Sequence, residues 1–133
     1  MKSINEVRKI FEGDRFAMEN GAFIEEIGDH SAICSLVITD SHRNAMGAVM
    51  GGTYFMLADF AFAVAANWDS LGCVSLHSDI SFLSAARGKK LIAKAACVKD
   101  GRTTACYRVE VTDDLGNLTA IVTVTGYHTK PTL

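Results

Sequence analysis

Asp59 is the residue of this sequence best placed to do chemistry. It interrupts a segment, 51–67, that is otherwise apolar nearly all round: Phe55, Met56, Leu57, Ala58, Phe60 and the run from 60 to 66. A carboxylate in such surroundings costs on the order of several kcal/mol unless it is paired or hydrogen-bonded. At helical spacing its neighbours are Phe55, Met56, Phe62 and Ala63, so no Lys or Arg can pair with it locally. A carboxylate held in a dry cleft suits acid–base or nucleophilic work. The plainer alternative is a carboxylate that emerges at a sheet edge and bonds to neighbouring backbone. Gly51-Gly52 is the second signal. Glycines at a helix start let a ligand approach the backbone, and the free N–H groups and positive dipole end there favour a developing negative oxygen. The pair could equally serve only the tight turn into the helix.

Eight helical residues place Asp59 about 12 Å along the axis from Gly51. Reacting groups must converge within roughly 3–3.5 Å of one substrate atom. One helix therefore cannot bring both to one carbonyl, whereas antiparallel helices from two subunits can. The spacing predicts a symmetric dimer with two interface sites, each combining Gly51 of one chain with Asp59 of the other.

Other candidates carry less. Ser75, His77 and Asp79 alternate along one strand, but side chains at i and i+2 are about 6.6 Å apart, too far for a nucleophile–base hydrogen bond. His30, His42 and His128 read as surface or loop histidines. No His, Cys and carboxylate cluster has metal-ligand spacing, so no metal is expected. The Arg87-Gly88-Lys89-Lys90 stretch reads as a solvated hairpin turn. Cys34, Cys73, Cys97 and Cys106 form no CxxC pair and lie in apolar or alternating stretches. They read as reduced structural thiols of a cytoplasmic protein.

The elements that must position these residues follow from periodicity. Ile4, Val7, Ile10 and Phe11 have helical spacing, and residues 1–20 read as an N-terminal helical segment. Residues 22–27 and 31–39 read as strands, the second with Ala32, Cys34, Leu36 and Ile38 on one face. A loop covers 40–50, and the helix 52–67 has no polar face and should be buried on all sides. Val74, Leu76, Ile80 and Phe82 then share one face of a strand. Further strands cover 91–98, 102–112 and 118–127, with a hairpin signal at Asp100-Gly101. One antiparallel sheet curled round one helix, with short hairpin connections, satisfies this order. The chain has 133 residues, 49% of them hydrophobic, which sets one domain over 1–133 with a real core and excludes a disordered chain. The 13 Lys and Arg against 15 Asp and Glu argue against a nucleic-acid partner. The longest apolar run, 60–66, is far short of the ~20 residues of a membrane helix, and the first residues show no secretory signal.

Asn44, Gly47, Val49, Met50-Gly51-Gly52, Leu57-Ala58-Asp59 and the Val74-Ser75 and Ile80-Ser81-Phe82-Leu83 stretches resemble the PaaI-like acyl-CoA thioesterases over roughly residues 22–127. The Asn-x-x-Gly-x-x-x-Gly-Gly-x-x-x-x-Leu-Ala-Asp spacing is fairly specific. The resemblance implies an α+β hotdog fold and hydrolysis of a small acyl-CoA thioester, aromatic acyl groups among the candidates, to free acid and coenzyme A. It implies that Asp59 activates water or attacks the thioester carbon, that the Gly51 N–H binds the thioester oxygen, that Asn44 positions the reacting groups and that Ser75 lies near Asp59. It further implies substrate contacts from Met50, Gly52, Phe82 and Ser84. Arg87, Lys89 and Lys90 then lie near the mouth where the coenzyme A phosphates rest. Dimers of this type commonly pair into homotetramers. Coenzyme A enters as part of the substrate, and no other cofactor is implied. One departure stands out: the family's histidine before the two glycines is Met50 here. The Gly51 N–H survives that change, but the polar nitrogens of an imidazole do not. The alternative is therefore an acyl-CoA-binding protein with weak or no turnover. A dehydratase of the same fold would need a histidine with its carboxylate, and none stands at the loop-to-helix position.

Overall fold

The computed structural model describes residues 2–129. Met1 and residues 130–133, which the single-domain expectation includes, lie outside the described residues. Helix α1 (Ile4–Phe11) begins with a capping box: the Ser3 hydroxyl accepts the Glu6 N–H while the Glu6 carboxylate accepts the Ser3 N–H. Its apolar stripe turns Val7 and Phe11 into the core. A second, one-turn helix, α2 (Arg15–Glu19), completes the expected N-terminal helical segment. Strands β1 (Phe23–Gly28) and β2 (Ser31–Val37), helix α3 (Gly51–Asn67), and strands β3 (Cys73–Phe82), β4 (Lys90–Asp100), β5 (Thr104–Asp113) and β6 (Leu118–His128) follow. The six strands form one antiparallel sheet in the order β1-β2-β4-β5-β6-β3, curled round α3. This is the α+β architecture expected from the element order.

The strands read from alternation bury the faces expected of them. Ala32, Cys34 and Leu36 of β2 and Ala105, Tyr107, Val109 and Val111 of β5 face α3. There Phe62 meets the Tyr107 ring edge-on at 5.2 Å, and Phe60 meets Phe11 at 5.9 Å. Gly126 of β6 has a steric reason to be glycine. A Cβ there would lie 2.8 Å from the Cys73 Sγ and 3.2 Å from the Phe62 ring. Buried Asn67 joins the end of α3 to the start of β3. Its amide donates to the Ala63 and Cys73 carbonyls and its oxygen accepts from Gly72 and Cys73 N–H. All four cysteines are free. No helix among the described residues is long and apolar enough to cross a membrane.

Four expectations are corrected. First, the connection through Arg87-Gly88-Lys89-Lys90 is not a hairpin. Strands β3 and β4 are not neighbours, and this stretch belongs to a crossover from the sheet edge to its interior. Second, Val74, Leu76, Ile80 and Phe82 do not share a face. A bulge at Leu76 shifts the register between Ser75, opposite Gly126, and His77, opposite Thr125. Ser75 therefore lies on the face of Ser78, Ile80 and Phe82, which oppose buried residues, whereas His77 and Asp79 point the other way. The same bulge removes any Ser75-His77-Asp79 array. Third, α3 is not buried on all sides. Gly52, Met56, Asp59, Ala63 and Ala66 keep partial or full exposure at steps of three and four, with Phe55 beside Met56, a single stripe along the helix. Fourth, His42 is buried rather than superficial. Its Nδ1 accepts the Thr39 N–H at 2.9 Å, so its Nε2–H donates to the Asn20 carbonyl at 2.8 Å, tying the end of α2 to the loop before α3. His128 is half-buried too, with its Nε2 2.8 Å from Asp100.

Candidate active site

Helix α3 supplies the centre of the site. Its first turn leaves the Gly51 and Gly52 N–H groups without an acceptor among the described residues. The chain enters this turn from a small hairpin loop closed by the Arg43–Val49 bridge. The cap residue, Met50, is extended and makes no side-chain cap, and its N–H donates to the His42 carbonyl. Thr53 locks the turn from the other side, its hydroxyl donating to the same carbonyl. The ring edge of Phe82 lies against Gly51. A Cβ on Gly51 would meet Phe82 Cζ at 3.1 Å, whereas one on Gly52 would touch only the Met50 Cε, at 4.0 Å. Tyr54 packs edge-on to Phe82, and its hydroxyl accepts the Ala86 N–H. The crossover from β3 to β4 is thereby pinned beside the start of α3.

The crossover is held by two aspartates of the β5–β6 turn. Buried Asp113 accepts N–H groups of Arg87, Gly88, Leu115 and Asn117 together with the Asn117 side-chain amide. Burial alone would raise its carboxyl, but these bonds outweigh it and hold the group well below the ordinary carboxylate range. Asp114 accepts the Lys89 N–H. Arg87 and Lys89 remain exposed beside the α3 start. Lys90 does not: its ammonium is 3.2 Å from Glu25. Ser84 is also engaged, donating to the Leu118 carbonyl.

Asp59 lies two turns further along α3, in the middle of the half-exposed stripe. Its carboxylate opens into a cavity of about 270 Å³ lined by Asp14, Arg15, Phe16, Ala17, Met56 and Phe60. It has no hydrogen bond or ion pair among the described residues, so the plainer reading, a carboxylate bonded to backbone, does not hold. Burial raises its carboxyl above the ordinary value, and the charge of Asp14 adds to the rise. A raised carboxyl is a stronger base at neutral pH.

The chain does not bring the four expected catalytic residues together. Gly51 and Asp59 stay about two helical turns apart. Asn44 sits in the exposed loop, with its Oδ1 accepting the Met46 and Ala48 N–H groups. Ser75 lies beside Gly126, and no hydrogen bond joins it to Asp59. Sequence reading gave Met56 and Phe60 as neighbours of Asp59 along the helix but missed Asp14, Arg15, Phe16 and Ala17. The contacts from α2 are tertiary and leave no local pattern. Among the described residues no group of three or more His, Cys, Asp or Glu is placed to hold a metal ion.

Residues 46–120, more than half of the chain, match the family model of the thioesterase superfamily. The chain belongs to the thioesterase superfamily. The acyl-coenzyme A thioesterase PaaI of Escherichia coli (strain K12) is 30% identical over 111 residues, 83% of this chain and 79% of the relative. The solved structure of the E. coli PaaI protein, from the phenylacetic acid degradation operon, matches with a TM-score of 0.87 and 26% identity, covering 93% of this chain and 91% of that one. A hypothetical thioesterase protein from Streptococcus pneumoniae TIGR4, solved with coenzyme A, matches with a TM-score of 0.83 and 27% identity, covering 92% and 99% of the two chains. This thioesterase-superfamily chain is thus a PaaI-like hotdog protein. The matched span contains Gly51, Asp59, Ser75 and Phe82, while Asn44 and Asp14 lie before it. Met50 is 56% exposed at the mouth of the α3 start. It offers a thioether at the edge of the N–H pair, with no polar nitrogen.

Proposed function

We propose that this protein hydrolyses a small acyl-CoA thioester to free acid and coenzyme A at two sites in a symmetric dimer. One observation carries the reading: an unpartnered carboxylate, Asp59, in the middle of an apolar helical stripe that the chain leaves half-exposed. Covering that stripe with a second copy would bring the free Gly51 N–H of one chain toward Asp59 of the other. The free edge of β3, with exposed Val74 and Leu76 and with exposed Leu83 just after it, also supports self-association. Pairing of such dimers into a homotetramer extends the proposal.

In the proposed reaction the thioester oxygen accepts the Gly51 N–H, and the positive end of α3 stabilises the charge that develops on it. Asp59 either takes the proton of an attacking water or attacks the carbonyl carbon itself, forming an anhydride that water then opens. The carbon–sulfur bond breaks, and the thiolate leaves and is protonated. Asn44 orients the water or the carbonyl, and Ser75 supports Asp59. Gly52, Met50, Phe82 and Ser84 border the acyl thioester, and Arg87 and Lys89 meet the coenzyme A phosphates. Lys90 contributes there only if it leaves Glu25. The chemistry needs water and these side chains, with no metal or redox group, and we place the protein in the cytoplasm.

Free-thiol release from a panel of aromatic and short-to-medium acyl-CoAs, with wild type and Asp59→Asn side by side, tests the reading. Turnover that collapses in the variant supports it. Met50 favours a second reading, an acyl-CoA-binding protein. That reading takes over if wild type binds acyl-CoA but releases no thiol from any member of the panel.

A further inference from the structure

Asp14 is the cap residue of α2, yet its carboxylate makes no cap hydrogen bond. An aspartate at that position ordinarily accepts an N–H of the first turn. Here it instead lines the cavity that holds the Asp59 carboxylate. Among the described residues neither carboxylate has a hydrogen-bond or ion-pair partner. The other charged group of the cavity, Arg15, lies 3.9 Å from Glu19 in an exposed pair.

The remaining elements round Asp59 bring no compensating charge. Helix α3 has no other acidic or basic residue. Helix α1 turns Phe11 onto Phe60, while its Arg8 is held on the Ile24 carbonyl. The sheet face on α3 carries Cys34, Cys73, Cys97 and Tyr107 as its titratable groups, and Asp113 at its far end is enclosed by its own donors. Asp59 therefore faces a like charge across a cavity of about 270 Å³, whose one cation, Arg15, is drawn to Glu19 and pairs with neither carboxylate.

We propose that Asp14 is a positioning residue of this site that acts through charge: it faces Asp59 across the cavity and sets the pH at which Asp59 gives up its proton. The inference rests on the proposed role of Asp59 as the reacting carboxylate. Two carboxylates that share a site resist losing both protons, so one of them titrates later. Burial raises both groups, and for Asp59 the Asp14 charge adds to the rise. In turnover, Asp59 takes a proton from water at the attack and must pass it on before the next cycle. A neighbouring carboxylate makes Asp59 the stronger base for the first step. Asp14 lies before the span matched by the family model, so this device belongs to the N-terminal segment of this chain.

Asp14→Asn removes the charge and keeps the shape and capping ability, and Asp14→Ser removes the charge and keeps only the capping ability. The test has two readouts. In the first, kcat/KM against pH is measured for wild type and both variants. The acid limb is expected to move to lower pH, so that at the wild-type midpoint the variants run above half of their plateau. In the second, the Asp59 carboxyl is titrated by NMR with carboxyl-labelled aspartate, and its midpoint is expected to fall in both variants. The NMR readout requires no turnover. If no acyl-CoA is hydrolysed, the proposed function fails, while the titration still decides the Asp14–Asp59 coupling. An unchanged Asp59 midpoint in a folded Asp14→Asn protein, or a lower plateau with an unmoved acid limb, overturns the inference and leaves Asp14 a structural residue.

Discussion

The Phe82 ring occupies the space that a side chain on Gly51 would need, with its Cζ and Cε1 at 3.1 and 3.2 Å from the position of a Cβ. The identity of Gly51 thus has two separate causes, packing against Phe82 and access to the free N–H. Gly51→Ala alone is expected to lower thioester turnover on the order of 10- to 100-fold, since a displacement near 1 Å suffices for that. Adding Phe82→Ala relieves the packing conflict. The double variant should regain melting temperature without regaining turnover. Recovery of both would reduce Gly51 to a packing residue.

Asp59→Asn should lower kcat roughly 10²- to 10⁴-fold, the range of a lost acid–base group. The same change should raise the melting temperature, by about a few degrees. The sign follows from the raised carboxyl. Ionised Asp59 costs the folded state stability at every pH above its raised midpoint. That cost shrinks as pH falls toward the ordinary 3.8 and is gone below it. Melting curves of the two proteins at neutral pH and below the ordinary carboxylate value test this, and a gap that persists in acid would refute it.

Asp113 has the opposite sign. Its lowered carboxyl contributes stability that is fully present above the ordinary value of 3.8 and is lost as pH falls toward its depressed midpoint. Asp113→Ala orphans four backbone N–H groups and the Asn117 amide. It should cost roughly 3 kcal/mol or more in urea unfolding at neutral pH. The difference from wild type should narrow in strong acid. Loss of order in the Arg87–Lys90 crossover should also raise KM for acyl-CoA more than for an acyl thioester lacking the nucleotide.

Cys34 is fully buried, and burial pushes its thiol up to about 12. It should stay unmodified by iodoacetamide in the native protein and react only on unfolding. Mass mapping of the labelled cysteines checks this. Modification at the rate of an unfolded control would contradict the burial.

The architecture was legible because apolar alternation and the one long, nearly all-apolar helix report burial directly. The Gly51–Asp59 separation was equally legible, since helical rise converts spacing into distance. What escaped were effects of long-range pairing. The bulge at Leu76 leaves no mark in the residue types of its strand, yet it inverts the face of everything after it. The crossover after Phe82 looked like a hairpin because Arg-Gly-Lys-Lys is good turn chemistry in either setting. A helix with no polar face announces burial without saying whether its own chain or another covers it, so the half-exposed stripe of α3 was unseen. Asp14 and His42 were missed because their partners, Asp59 and Asn20, stand 45 and 22 residues away.

The place of β3 in the sheet also governs the order in which the chain can mature. Among the described residues its one strand neighbour is β6, so Cys73 pairs with His128 and Phe82 with Ala120. During synthesis β3 is made well before Leu118–His128, and in that interval its backbone has no ladder to join. Val74, Leu76 and Leu83 then ride on an unzipped ribbon, the kind of nascent segment that invites chaperone capture or mispairing between neighbouring polysomal chains. The non-local pairing of β6 with β3 accordingly waits for the last strand of the sheet to be made.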